Sequence, residues 1–504
     1  MRRIISVVKK CILIVVWLII AAGFYYFSEE YTELGKEENI DRNKQIEEKV
    51  STEVLIEEEK DVEESIDKNI RVLIKTSNFE SIYHDSICIS GTDRYKVIVG
   101  DKVEVYEAGT EYALDDKVYE VNNISKVSIE PEGDAKICLK SVERNVKAEY
   151  KGKFECYRTD DGLILVNELA IEEYLQGVVP SEMPSKYPIE ALKAQAISAR
   201  TYTYYHKKEY AYPKWEAHVD DSTTFQVYMN TTENENTSRA VSETKDMVIT
   251  KNGDIVQSFY YSTSSGYNGG SSVWGNDTSA DYLKETGEEI FGQNNAEGEK
   301  SYQEYIDKGN QTHIEYNEPW YRWNYKVELN TQNVQKILSK IYKMSLTDNT
   351  NIKIRSKDMQ TKLLEKETYI KDIRILNREK SGVITSIMIS TCHFNINIRT
   401  QHCIRQVFAI SGEYVYKKDG SEYTLGDILP SAYFYIDKTV NDLVDDNQTE
   451  DSDKTSISYI TVCGGGMGHG AGMSQNGAKC LAQKGYVATE ILKYYYDGEI
   501  EVIK

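Results

Sequence analysis

Residues 167–206 read NELAIEEYLQGVVPSEMPSKYPIEALKAQAISARTYTYYH, and the fold turns on how this stretch divides. Ile171, Tyr174 and Leu175 form one short helical face, which Gly177, Pro180 and Pro184 then interrupt. Pro188 sits where a helix tolerates proline, in its first turn. Ile189, Leu192, Ala196, Ala199 and Thr203 follow at helical spacing, a buried stripe of mostly small residues. The expectation is two helices joined by a rigid, proline-bracketed loop, with Glu182 in that loop. A carboxyl walled by Val178, Val179, Pro180, Met183 and Pro184 has its pKa raised by the apolar surroundings. A carboxylic acid of that kind can protonate the leaving oxygen of a glycosidic bond. The competing reading is a solvent-facing glutamate in a tight turn.

Working toward the N-terminus, residues 71–75, 95–99, 102–106, 117–121, 135–140 and 148–157 read as short strands punctuated by turns. They predict a β-rich module over 71–150. Residues 28–70 hold 16 acids against 6 bases with few apolar residues, and are expected to form a solvated stalk. Before it, residues 11–27 carry no charge, preceded by Arg2, Arg3, Lys9 and Lys10 and followed by Glu29 and Glu30. This predicts one transmembrane anchor with the remainder of the chain outside the cytoplasm. A cleaved signal peptide is the rival, disfavoured by the bulky Phe24-Tyr25-Tyr26-Phe27 that follows Ala21-Ala22-Gly23.

Toward the C-terminus, 247–250 and 255–261 read as strands, and 262–272 (STSSGYNGGSS) as a serine- and glycine-rich turn. Residues 276–325 are polar and read as irregular. Residues 327–329, 332–341, 370–375, 383–389 and 394–398 predict a mixed α/β segment, and 441–455 a polar linker. From Ile457 the chain reads as strand, glycine loop and helix. The fold class predicted is α+β, with 151–504 as the catalytic domain.

Composition narrows the function. The net charge of −21 disfavours a phosphate-gripping surface, so no nucleic acid is expected as a partner. The 39 tyrosines suit both strands and sugar stacking. The eight cysteines have no close CxxC pair, and Cys11 lies in the apolar segment, which leaves an odd seven. Buried thiols are therefore a better expectation than a disulfide framework.

Other residues compete for chemical roles. Arg200 is expected either to hold a substrate carboxylate or to form an ion pair between elements. The run from Gly464 to Gly472 lets backbone approach a ligand, with His469 as its titrating group. Gly466, Gly468 and Ala471 fit a dinucleotide fingerprint, but too few residues follow to complete that fold. His218 with Asp220 and Asp221 is the one compact metal candidate, and a polar loop is the simpler account. No second carboxylate of the quality of Glu182 stands out.

Taken together, 167–205, the YYSTSSGYNGGSSVWGN segment and GMGHGAGMSQNGAKCLAQKGYVATEILKYYYDG resemble the SpoIID/LytB family, from about Lys151 to the C-terminus. The resemblance implies a peptidoglycan lytic transglycosylase with Glu182 as acid/base. Such an enzyme cuts between N-acetylmuramic acid and N-acetylglucosamine and leaves a 1,6-anhydro end. It also implies a sporulation role in engulfment and a partner amidase, with a LytB-like amidase modifier as the alternative. Arg200, Ser264, Ser265, Gly266, His469 and Gln475 are the expected substrate-binding groups. Some members bind zinc through a histidine and two cysteines. Here His218 is kept, but Asp220 and Phe225 stand where the cysteines would be, so neither a metal nor another cofactor is expected. Met467 replaces a tryptophan common before the Gly-His-Gly, and the Ser-Gly-Gly pattern is altered to Ser264-Ser265-Gly266-Tyr267-Asn268-Gly269-Gly270.

Overall fold

Local sequence explains the first helices. In the computed structural model, which describes residues 68–122, 124–274, 280–355, 368–442 and 455–502, α1 spans Asp116–Asn122. It stands where a strand was expected over 117–121. The Asp115 carboxylate accepts the amides of Lys117 and Val118 at 3.0 and 3.4 Å, and such a cap draws the backbone into a helical turn. Helix α2 spans Ile171–Glu182 and α3 spans Ile189–His206.

The expected break in α2 does not occur. Gly177 and Pro180 both lie inside it, and Glu182 is its last residue rather than part of a loop. Pro180 removes only the amide that would bond Gln176. Gly177 is there for space: a Cβ would lie 2.6 Å from the Tyr228 ring and 2.7 Å from the Met229 sulfur.

Helix α3 is buried around its circumference, not along one stripe. Ala191, Leu192, the run 194–204 and its polar members are all inside. A helix apolar or small on every side is a central one. One side of α3 (Leu192, Ala194, Ile197) joins a core with Val327, Ile337, Ile389 and Leu492. The other (Ala196, Ala199, Tyr204) joins a core with Ile70, Val97, Val127, Leu165 and Val178.

The second of those cores is backed by a seven-stranded sheet. Its order in space is Val219–Asp220, Asn69–Ile74, Gly162–Ala170, Lys153–Thr159, Lys126–Pro131, Tyr95–Val99 and Lys102–Tyr106. Asn69 to Ile74 pair antiparallel with Ala170 to Leu165. The cut placed at 150 therefore runs through one sheet and one core, and residues from Asp67 onward form a single unit. The strand Gly162–Ala170 supplies Leu163 and Leu165 to one face and Ile164 and Val166 to the other.

Helix α4 (Glu235–Glu243) packs on α3 and α2, and the strand Met247–Lys251 follows. The region 276–325, expected to be irregular, contains α5 (Ala296–Lys308). Asn295 caps it by accepting the Gly298 amide at 2.8 Å, and only Gly298, Tyr302 and Ile306 are buried, so its sequence is polar because most of it faces water. Then come α6 (Thr331–Thr347), a four-stranded sheet and α7 (Gln401–Phe408). A five-stranded sheet runs Glu422–Thr424, Tyr414–Lys417, Trp323–Glu328, Thr455–Gly464 and Phe434–Asp442.

The chain then returns to α3. The strand Met473–Ser474 pairs in parallel with Tyr260–Tyr261, α8 (Gln475–Gln483) and α9 (Ala488–Tyr495) pack on α3, and Glu499–Val502 pairs with Met247–Lys251. The α+β class with a β-rich N-terminal part is borne out. Among the described residues no helix is long and apolar enough to cross a membrane; the anchor expected at 11–27 and most of the stalk at 28–70 lie outside those residues. So does most of the linker expected at 441–455. The seven described cysteines are free thiols.

Gly177→Ala tests the packing reading. Its added methyl meets Tyr228 and Met229, and overpacking of this kind costs about 1–3 kcal/mol, more than the ~1 kcal/mol that alanine gains in helix propensity. Urea unfolding should give a lower midpoint than the parent chain; an unchanged or higher midpoint would refute the packing constraint.

Candidate functional site

Glu182 ends α2 with its carboxyl held at one point. The Val227 amide donates to Glu182 Oε1 at 2.7 Å. Desolvation pushes its pKa up to about 7, opposed by that amide and by the Gln475 side chain. Tyr174, Tyr202 and Tyr260 surround it, each made harder to ionise first by burial and then by the charge of Glu182. Among the described residues no cation pairs with Glu182, so only those two hydrogen bonds favour its ionised form. Gln475 Nε2 donates to the Glu182 backbone carbonyl at 3.0 Å, which satisfies an open carbonyl at the helix end. Two of the expected site residues, Glu182 and Gln475, are thus brought together across 293 residues of chain.

A cleft of about 820 Å³ is lined by aromatic Tyr202, Tyr205, Phe225, Phe259, Trp274 and Tyr282, with neither Glu182 nor Gln475 in that lining. Tyr202 belongs to this lining and to the surroundings of Glu182. Gln226 fixes the intervening segment: its amide donates to the Ala199 carbonyl at 3.2 Å and to the Tyr260 hydroxyl at 2.9 Å.

His469 stands against the cleft wall, its ring 5.6 Å from that of Trp274 and 6.0 Å from that of Phe259. The Ala471 amide donates to Nδ1, so the ring proton sits on Nε2 and is given to the Tyr260 carbonyl at 3.0 Å. Desolvation and the charge of Arg405 push the pKa down to about 4. His469 is therefore neutral and fully bonded near pH 7, and shapes the wall rather than titrating.

The glycines around it serve packing rather than ligand approach. Thr263 and Met467 exchange both backbone hydrogen bonds, and a Cβ on Gly466 would lie 2.8 Å from the Thr263 carbonyl. Ser264, Ser265 and Gly266 sit in the loop beneath. Ser264 Oγ accepts the Gly266 amide at 2.9 Å, and Ser265 Oγ is buried with no hydrogen-bond partner.

Arg200 is not in the cleft. It is fully buried and bidentate on Glu172 at 2.6 and 2.8 Å, with its other donors on Ala196, Val241, Met247 and Thr244. The ion-pair reading is the one the geometry shows, because no donor is left for a substrate. The His218 trio is likewise spent on structure. The Arg71 amide donates to His218 Nδ1, Asp220 accepts from Ser222 and Tyr212, and Asp221 pairs with Arg144 at 2.6 Å.

One carboxyl escaped the sequence reading. Glu315, 1% exposed, accepts the Ser264 amide at 2.9 Å and the Ser474 hydroxyl at 2.7 Å through one oxygen. It ties the serine loop to the start of α8, next to Gln475. Desolvation pushes its pKa up to about 8, against the pull of those two donors. Nothing local marks it, since its donors lie 51 and 159 residues away.

Residues 159–250 match the SpoIID family model, described as Stage II sporulation protein. The chain is 30% identical over 332 residues to Amidase enhancer of Bacillus subtilis, covering 64% of this chain and 39% of that protein. It is 25% identical over 350 residues to Stage II sporulation protein D of the same organism, covering 66% and 74%. An uncharacterized protein of Brachyspira hyodysenteriae is 40% identical over 121 residues, covering 24% and 32%. The chain thus spans about two-fifths of the first of these relatives and about a third of the last.

The Glu315 clamp has a measurable consequence. Its folded pKa of about 8 exceeds the ordinary 4.5, so the folded state holds the extra proton and stability falls as pH rises through that window. Glu315→Gln keeps an acceptor for both donors and removes the charge. The variant should match the parent at pH 4 and exceed it at pH 9, by on the order of 3 kcal/mol. Thermal unfolding at both pH values checks this; equal stability at pH 9 would contradict a buried, proton-holding carboxyl.

Proposed function

We propose, from the premise that this chain belongs to the SpoIID/LytB family, that it acts on the bacterial cell wall as a peptidoglycan lytic transglycosylase with Glu182 as its acid/base. The observation that carries this reading is a buried carboxyl, its pKa pushed up to about 7 by desolvation and with no cation paired to it among the described residues, linked through Tyr202 to an aromatic cleft large enough for sugar rings.

In this mechanism neutral Glu182 gives its proton to the oxygen between N-acetylmuramic acid and N-acetylglucosamine. The C1–O bond breaks toward an oxocarbenium-like state. The 6-hydroxyl of the muramic sugar then attacks C1, and the Glu182 carboxylate takes the hydroxyl proton. The acid is restored, no water is consumed, and the product carries a 1,6-anhydro ring. One carboxyl suffices. Glu315 does not compete for the role, because its carboxyl is inside and committed to Ser264 and Ser474. Val227 holds the Glu182 oxygen in place, and Gln475 anchors the helix end that carries it.

A second reading rests on the B. subtilis relative whose name is Amidase enhancer. In that reading the cleft binds glycan and the chain raises the rate of a partner amidase without cutting. Placement outside the cytoplasm, with 11–27 as anchor, belongs to both readings and rests on the charge pattern of the sequence.

Digestion of purified glycan should give anhydro-ended products by mass spectrometry, and Glu182→Gln should lower the rate by at least ~10²-fold. Because the acid must be protonated, the rate should be flat below pH 7 and fall about tenfold per pH unit above it. Undiminished cleavage by Glu182→Gln would sink the assignment. Absence of product from the parent, with acceleration of an added amidase, would establish the second reading instead.

A further inference from the structure

The five-stranded sheet buries one face through Trp323, Tyr325, Val415, Ile460 and Val462. Its other face is only partly covered. The C-terminal end of α5 closes one corner, where the Tyr435 hydroxyl donates to Asp307 at 2.7 Å. Beyond that corner Tyr414 and Tyr416 are 49% and 42% exposed on one strand, and Lys326 lies 5.1 Å over the exposed Tyr459 ring. Asn324 sits opposite Tyr416 in the sheet register and is exposed beside it. Exposed tyrosines in a row on a monomer's sheet are uncommon unless something covers them.

Between the end of α5 and this face is a cavity of about 340 Å³, whose floor includes Asn324 and Tyr416. Its titrating wall is Lys308, Arg322, Lys417 and Lys418 against the single acid Asp307. Such a balance stands out in a chain of net charge −21. Among the described residues only Lys308 of these cations has a carboxylate partner, Glu304. Lys418 lies 3.1 Å over Tyr316 and donates to its carbonyl, and Arg322 gives its donors to backbone carbonyls, whereas Lys417, opposite Trp323 in the register, turns to the other face over Trp320.

We propose that this cavity and the tyrosine face beside it form an accessory binding site for a carboxylate-bearing glycan strand. Tyrosine rings stack on sugar faces, Asn324 hydrogen-bonds hydroxyls, and Lys308 and Lys418 hold the carboxylate. The charge of the cavity argues for an anionic sugar over a neutral one, and the flat rings argue for a sugar over a bare phosphate chain. The site deepens the proposed reading, on which it rests for the identity of the glycan. It would hold a long strand while the Glu182 cleft works on one bond.

The test uses the whole 504-residue chain and glycan strands freed of stem peptides and of phosphate polymers. Tyr414→Ala with Tyr416→Ala, and separately Lys308→Ala with Lys418→Ala, should each weaken strand binding about tenfold, while Tyr416→Phe binds like the parent. Cleavage of a short soluble tetrasaccharide should be unchanged in all three, which also shows that they fold. Neutral chitin oligosaccharides should bind more weakly than the strands and ignore the lysine change. Strand binding equal to the parent in both double variants overturns the site. Binding of teichoic acid that depends on the lysines but not the tyrosines, with no loss of strand binding, also overturns it. Should Glu182→Gln still cleave, the enzymatic reading fails while the binding result stands separately.

Discussion

Helix α3 is buried on every side, and most of the structure follows from that constraint. A helix in the middle of two cores admits only small or apolar side chains wherever a neighbour presses, and 191–204 supplies alanine, serine and threonine between its larger residues. Its polar members must then be satisfied within the protein. Thr201 and Thr203 return their hydroxyls to carbonyls four residues back and Arg200 takes Glu172, while Ser198 Oγ and Gln195 Nε2 are buried without a hydrogen-bond partner. The Arg200 pair fixes α2 against α3, because a buried guanidinium without its carboxylate is among the most costly things a core can hold. With α2 fixed, the position of its last residue, Glu182, is fixed as well.

The site is completed from the far end of the chain. The segment after Gly464 runs beneath the serine loop, pairs with Tyr260–Tyr261 and delivers Gln475 to the end of α2. Glu315 secures that delivery, since Ser474, which it accepts from, is the N-cap of α8. The glycines from 465 to 472 make the route passable. Several take positive φ, and side chains there would collide with Tyr261, Tyr433 or the serine-loop backbone. The motifs read separately in the sequence are thus one packed junction, whose purpose is to hold a helix end and a cleft wall together.

How much of this the sequence disclosed depended on how local the deciding physics was. The helices either side of Pro184 were legible because proline and helical spacing act within a few residues. The helix end was misplaced for the same reason. Gly177 and Pro180 read as a break, yet the glycine answers Tyr228 and Met229, which are distant in sequence. Helix α5 was missed because an exposed helix capped by Asn295 leaves a polar pattern like that of a loop. His469 reads as the titrating group of its run, whereas burial and the charge of Arg405 hold it neutral against the pull of the Tyr260 carbonyl. Glu315 left no mark at all, because a buried carboxyl is defined by partners that only the fold assembles.

The electrostatics of Glu182 follow from its burial more than from the chain's overall charge. Desolvation raises its pKa to about 7, the Val227 amide and Gln475 oppose that rise, and among the described residues no cation pairs with it. A glutamate in a free loop would lack the enclosure and would ionise near its ordinary value. The continuation of α2 past Pro180 therefore sets the proton affinity of the group as well as its direction. Arg200 contributes without touching substrate: by spending its charge on Glu172 it holds α2 in place and leaves the neighbourhood of Glu182 without a competing cation. That division, one buried charge pair for rigidity and one unpaired carboxyl for chemistry, explains how two ionisable residues 18 positions apart sit in one helical pair with opposite roles.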